Sequence, residues 1–189
     1  MKWIFILIFI GALMAKDNLA TQTDNVLIII KEKPPISTLP NRTNNWMAVQ
    51  GSDDWEGLSD EQVHKRQLKF DSPEYGIRAG AISLITRALR KNNKPEVSIS
   101  QIFFEEDGWA EDKQSYKMDT ISKGFNDTDI IDVMDRDQLK PLINFISNHE
   151  MGSDEYNELK DKDKIINKGL DMAYEYVLSD DYSLKDLIK

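Results

Sequence analysis

The chain has 189 residues, 40% of them hydrophobic and 30% charged, with a formal net charge of −9; this is enough apolar material for one ordinary domain plus an appendage. The negative balance argues against a nucleic-acid partner, because backbone phosphates are held by clustered cations and counterion release, and no basic cluster occurs. The absence of cysteine excludes a disulfide framework, a thiolate nucleophile, a cysteine zinc site and a lipid anchor attached through sulfur.

Residues 1–15 carry a single charge, Lys2, followed by an uninterrupted apolar run that ends in small residues. The run is shorter than the ~20 residues that comfortably span a bilayer, so it reads as a secretory signal or signal anchor. Leu13 departs from the small-x-small rule for cleavage after Ala15, which leaves both the cleaved and the retained form open. Either form delivers the remainder to a membrane surface or beyond it, into the periplasm. Residues 16–40 read as an extended tether. Within it, Val26-Leu-Ile-Ile-Ile30 is a β-branched run suited to an edge strand or to packing on the domain, and Lys33-Pro34-Pro35 and Leu39-Pro40 disfavour helix.

Residues 41–189 are the expected folded domain. Its opening, with Asn44, Asn45, Trp46, Trp55 and Gly57, is rich in turn formers and large aromatics and predicts an irregular loop. A helix start follows: Ser72 suits the N-cap, Pro73 the first turn, and Glu74 complements the dipole. From there Ile77, Ala81, Ile82, Leu84, Ile85, Ala88 and Leu89 outline a central buried helix to about Arg90.

Asn92-Asn93-Lys94-Pro95 ends that helix, and Ser98 caps a short one bearing Ile99, Ile102 and Phe103. Tyr116, Met118 and Ile121, closed by Gly124, outline another, and Asp127 to Met134 predicts one or two further helical turns. A helix runs from about Arg136 to a C-terminal cap at Gly152, and a last one from about Asp154 to Leu178. The class is therefore mainly α: a compact multi-helix domain with an irregular, aromatic-rich N-terminal loop region.

The most telling position is Glu150. Leu139, Leu142, Ile143 and Ile146 recur at helical spacing, and Glu150 stands four residues after Ile146 on the same face, so an acid is aimed inward. A carboxyl in a partly desolvated cleft has its pKa raised and can donate a proton near neutral pH. The plainer alternative is a glutamate that ends its helix at the solvent edge. Trp46, Trp55, Trp109, Tyr75 and Tyr116 are candidates for a sugar groove, since flat rings cover the apolar faces of pyranoses; core packing is the competing use. Arg78 sits among apolar residues, where a buried guanidinium requires a carboxylate partner and can support a site from behind.

Other chemistries lack their signatures. His64 and His149 have no second histidine at helical zinc-ligand spacing. The series Asp127, Asp129, Asp132, Asp135 and Asp137 lacks the glycine and distal glutamate of a calcium loop and reads as a solvated acidic turn. No phosphate loop, nucleophile elbow or dinucleotide fingerprint is present, and neither cofactor nor metal is predicted.

The order of motifs resembles a family of bacteriophage virion and prophage structural proteins. The matching residues are Asn41-Arg42-Thr-Asn44-Asn45, Trp55-Glu-Gly57, Phe70, Asp71-Ser-Pro-Glu-Tyr-Gly-Ile-Arg-Ala79, Ile99, Ile102, Trp109-Ala110, Tyr116 and His149-Glu150-Met-Gly152, within about residues 41–176. The family's Pro-Gly-Asn-Ile is replaced by Trp46-Met-Ala-Val, its Trp-Ala-Pro by Trp109-Ala-Glu, and its His-Glu-Asn-Gly carries Met151 for Asn. That closing block is similar to the glutamate-bearing helix end of lysozyme-like transglycosylases.

The resemblance implies a virion-associated protein that binds peptidoglycan and cleaves its glycan strands, membrane-associated through the apolar segment and in contact with other virion proteins. Glu150 would be the acid, with Glu74, Asp54 or Glu56 as a second carboxylate and the aromatics and His149 as substrate contacts. The competing expectation is a non-enzymatic structural or adaptor component that uses the same domain for protein contacts.

Overall fold

The computed structural model describes residues 37–51 and 54–179. The apolar segment 1–15 and the strand expected at Val26–Ile30 lie outside these residues. Among the described residues no helix is long and apolar enough to cross a membrane.

The folded unit starts ahead of Asn41, so the expected tether ends earlier than residue 40. The Ser37 hydroxyl and the Thr38 amide each donate to Glu155 at 2.8 Å, joined by the Asn41 side chain at 2.6 Å. Leu39–Arg42 forms a one-turn helix, α1, with proline in its first turn. Leu39-Pro40 therefore begins a helix instead of excluding one, since proline lacks only an N–H that the first turn leaves unbonded anyway.

The long helix α2, Pro73–Asn92, is buried from Gly76 through Leu89 apart from Ser83, Thr86 and Arg87. It packs most extensively on α7, Lys162–Val177. A Cβ on Gly169 of α7 would lie 2.6 Å from Ile77, so the missing side chain sets how closely the two helices approach. Gly76 does the same for the loop before α2, whose Asn44 carbonyl occupies the place a side chain would need.

That loop is irregular, as its composition predicts, yet it is tightly held. The fully buried Asn45 donates to the carbonyls of Val49 (2.8 Å) and Leu68 (2.9 Å) and accepts from the Val49 amide (2.8 Å). Two isolated antiparallel bridges, Gln50 with Gln67 and Leu58 with Phe70, close it into a small wing. Backbone groups of Val49, Leu68 and Phe70 are thereby paired without regular structure.

Two expectations are corrected. Residues around Asp127–Met134 are not helical: β2, Ile130–Asp132, pairs antiparallel with β1, Glu96–Ser98. Val97 and Ile131 face each other inward while Ile130 stays exposed, a period-two pattern that β-branched residues favour. The last helix is broken. α6, Ser153–Glu158, ends at an extended Leu159, and α7 starts after Asp161 in left-handed conformation (φ 58°). No glycine or proline marks that break.

The remaining helices start at capping residues, of which the sequence reading singles out only Ser98. α3, Ile99–Phe103, has a reciprocal capping box between Ser98 and Gln101, and α4, Lys113–Ser122, is capped by Asp112. α5, Arg136–Met151, is capped by Asp135 and ends at Gly152 (φ 79°). Its Leu139, Leu142, Ile143 and Ile146 are all fully buried, so the stripe that predicts the core side of α5 is its core side. The molecule is mainly helical, with one small sheet among the described residues.

Candidate functional site

The last turn of α5 brings Glu150 to a cleft of about 540 Å³. The wing contributes Ala48, Val49, Gln50 and Gln67 to its lining, and α2 contributes Ser83. The rest comes from Gly108, Trp109, Glu111 and Asp112 before α4, Tyr116 within it, and His149 and Glu150 of α5. Wing and helices meet there because Asn45 fixes the wing and the buried stripe fixes α5.

Trp109, Tyr116 and Glu150 form one hydrogen-bonded group, and His149 with Asp119 forms a second that meets it through ring contact. The Tyr116 hydroxyl donates to Glu150 Oε1 and is itself hydrogen-bonded by the Trp109 side chain, which can only be the indole N–H donating. Tyr116 is buried, with its ring 3.7 Å from the His149 ring centroid to centroid and 5.1 Å from that of Phe103. His149 Nδ1 lies 2.6 Å from Asp119 Oδ2, which orients the ring.

Burial pushes the Glu150 pKa above the ordinary 4.5, and the negative charge of Glu111 adds to the rise. The Tyr116 hydrogen bond and His149 act the other way without overcoming it. At a helix C-terminus the backbone dipole also disfavours a carboxylate. Tyr116 is pushed up strongly by burial and then by Glu150, so it remains a neutral donor. The result is a carboxyl that holds its proton longer than a solvated glutamate and faces a cavity of sugar-ring dimensions.

The structure thus brings together Glu150, His149, Tyr116 and Trp109 among the expected site residues. It places the others elsewhere. Trp46 is core, 2% exposed and edge-on to Tyr156. Trp55 packs against the core, and the Tyr75 ring covers Gly57. None of the three lines the cleft: an opening segment without regular structure needs large rings to bury its own backbone. Glu74 sits on the first turn of α2 with Lys168 of α7 at 3.6 Å, also outside the lining. Arg78, buried as expected, pairs with Glu56 at 2.9 Å and lies 4.9 Å over the Tyr176 ring. It ties the loop to α2 and α7, and Glu56 does not line the cleft. Asp54 is exposed and does not line the cleft.

The carboxylate beside Glu150 is Glu111, which sequence reasoning passes over. It is paired with Arg66 and accepts from Gln50 at 3.2 Å. Its one sequence signal is that it stands where the resembled family has the proline of Trp-Ala-Pro. Gln50, Gln67, Ser83 and Asp119 carry no periodic or motif signal at all.

The acidic series is used locally: Asp129 accepts from the Asn126 amide at 2.7 Å, Asp132 from Met134 at 2.8 Å, and Asp135 caps α5. Among the described residues no three histidine, aspartate or glutamate side chains gather as a metal set. No protein-family model matches the chain, and no curated protein matches its sequence.

Proposed function

We propose that the chain is a membrane-targeted, virion-associated phage protein whose lysozyme-like helical domain binds peptidoglycan and cleaves its glycan strands during genome delivery. One observation carries this reading: a half-buried, proton-retaining Glu150, hydrogen-bonded by Tyr116, opens on a cleft that also holds Trp109 and a second carboxylate, Glu111.

In this reading Glu150 gives its proton to the glycosidic oxygen as the bond to the anomeric carbon breaks. The positive charge that develops on the sugar is stabilised by Glu111 or by the substrate's own acetamido oxygen. The leaving oxygen keeps the proton, and a water or sugar hydroxyl attacking the anomeric carbon returns one to Glu150. Trp109 offers an apolar face for a ring, and Tyr116 holds the Glu150 carboxyl in a single orientation.

The test is a zymogram with the full-length chain on peptidoglycan, beside Glu150→Gln. Clearing by the wild type that disappears in the variant supports the reading. Clearing retained by Glu150→Gln refutes Glu150 as the acid, and no clearing by a folded wild type refutes cleavage. The structural or adaptor reading is the alternative, and the exposed Met118, Ile121 and Ile130, 63, 63 and 58% exposed, favour it as apolar material for a protein contact.

A further inference from the structure

Beside Glu150 the cleft is lined by a second group that can carry a proton, the His149 imidazole. Its Nδ1 lies 2.6 Å from Asp119 Oδ2, and because a carboxylate only accepts, Nδ1 is the donor. The neutral ring is thereby fixed with Nε2 as its unprotonated nitrogen. No hydrogen bond from another described residue reaches Nε2. The ring is gripped by Asp119 at one edge, by Tyr116 at 3.7 Å and by Phe145 at 6.3 Å between ring centroids. The His149 side chain is 13% exposed and that of Asp119 50%. Glu150 is more committed, since its Oε1 is taken by the Tyr116 hydroxyl, which leaves Oε2 to serve the leaving oxygen.

Resting on the glycan-cleavage reading, we infer that His149 is the general base of the reaction and Asp119 its positioning residue: Nε2 takes the proton of the hydroxyl that attacks the anomeric carbon. As the glycosidic bond breaks, its electron pair goes to the leaving oxygen, which takes the Glu150 proton. The attacking oxygen then gives a lone pair to the anomeric carbon. The electrons of its O–H bond stay on that oxygen as the proton passes to Nε2. His149 hands this proton through water to the Glu150 carboxylate, and both groups are restored. Acid and base duties, which a lone carboxylate would have to alternate, fall on neighbouring residues of one helical turn.

The experiment is digestion of peptidoglycan by the full-length chain in detergent, with and without sodium azide, the new glycan ends being identified by mass spectrometry. Azide attacks carbon with no proton to lose, so it substitutes for a base and not for an acid. His149→Gln keeps a polar side chain in place but cannot take a proton. It should cut at least ~100-fold more slowly than wild type, and azide should bring it back to within ~tenfold with glycosyl azide ends. Glu150→Gln should gain nothing from azide. Asp119→Ala should lose at least ~tenfold, because a mis-set tautomer presents a donor where the acceptor is needed, and azide should restore it too.

A second readout needs no substrate. Nitrogen-15 shifts of the neutral His149 ring in wild type should show Nδ1 protonated and Nε2 bare, and Asp119→Ala should move the proton toward Nε2. A His149→Gln chain that cuts at the wild-type rate, a loss that azide does not restore, or a wild-type ring protonated at Nε2 would each overturn the assignment. Failure here is separable from failure of the cleavage reading. Glu150-dependent clearing that survives His149→Gln loses only the base, whereas a folded wild type that clears nothing loses cleavage and base together.

Discussion

Glu150 and Glu74 are the same side chain at opposite ends of two helices, and their surroundings drive them apart. Glu150 ends α5, inside a cleft, where burial outweighs the Tyr116 hydrogen bond and raises its pKa. Glu74 begins α2. Burial also pushes it upward, but the Ser72 hydroxyl, its own backbone amide and Lys168 outweigh that and hold it below 4.5. The helix dipole acts in the same directions, opposing a carboxylate at the C-terminus and favouring one at the N-terminus. A helical stripe that ends in an acid therefore says more about chemistry than an acid beside a recognisable motif. Glu74 lies within the strongest block of resemblance and serves to start a helix.

The sharpest way to break this contrast is to neutralise Glu150. Glu150→Gln should lower peptidoglycan clearing by at least ~100-fold, the usual loss for a missing general acid. It should also stabilise the fold at neutral pH. A carboxyl whose folded pKa is raised destabilises the native state once pH exceeds the unfolded value of 4.5, and increasingly so up to the folded one. Removing it should raise the thermal midpoint at pH 7 by ~2–4 °C, with no gain below pH ~4. Scanning calorimetry at the two pH values checks the sign. A variant less stable than wild type at pH 7 would show that the Glu150 carboxylate is favoured by the fold.

Next in size is the clasp at Glu155, a carboxylate of the opposite kind. Burial pushes its pKa up, but the Thr38 amide, Asn41 and Ser37 outweigh this and hold it below the ordinary range. Its contribution is full above 4.5 and is lost as pH falls through the lower folded value. Glu155→Ala should lose ~1–2 kcal/mol in urea unfolding at neutral pH, with the difference from wild type shrinking in acid and clearing unaffected.

Tyr116→Phe sharpens the account of Glu150 itself. Without the hydroxyl, burial is less opposed and the Glu150 pKa rises further, so the alkaline limb of the activity profile should move to higher pH. The fold should lose ~1 kcal/mol, the ordinary worth of a buried hydrogen bond. An alkaline limb that stays in place or moves down would mean that Tyr116 does not act on the Glu150 proton. Smaller still is Ala48→Gly. Ala48 lies in the cleft wall with φ 50°, a left-handed conformation that glycine adopts without strain, and the change should add ~0.5–1 kcal/mol to unfolding stability.

How far the sequence discloses this arrangement depends on whether the signal is local. The starts of α2 and α3 are legible because Ser72-Pro73 and Ser98 are local signals, although the Ser72 side chain makes no cap hydrogen bond; Asp135, which caps α5, reads in the sequence only as part of an acidic turn. The Glu150 side of α5 is legible because four apolar residues fix the phase of the helix before the acid arrives. The pairing of β1 with β2 is long-range and rests on three residues each, too short for periodicity to separate strand from turn of helix. The break between α6 and α7 rests on the left-handed Asp161, a conformation aspartate tolerates without advertising it.

The aromatic residues divide the same way. Trp109 and Tyr116 reach the cleft and Trp46, Trp55 and Tyr75 do not, yet nothing within their own segments separates the two groups. Which ring faces a cavity is decided by what the wing packs against. Glu111 and Gln67 are illegible for a related reason, since each arrives at the cleft from an irregular segment: Asn45 holds the Gln67 segment through the carbonyls of Val49 and Leu68, and bonds from the Trp109 and Ala110 amides to Ile102 and Phe103 hold the Glu111 segment.

The most direct measurement is a carbon-13 NMR titration of the glutamate side-chain carboxyls in the full-length chain, with Glu150 assigned through Glu150→Gln and Glu74 through Glu74→Gln. Glu150 should titrate above 4.5 and Glu74 below it in the same sample. A Glu150 midpoint at or below that of Glu74 would contradict the claim that the cleft keeps a proton ready on Glu150.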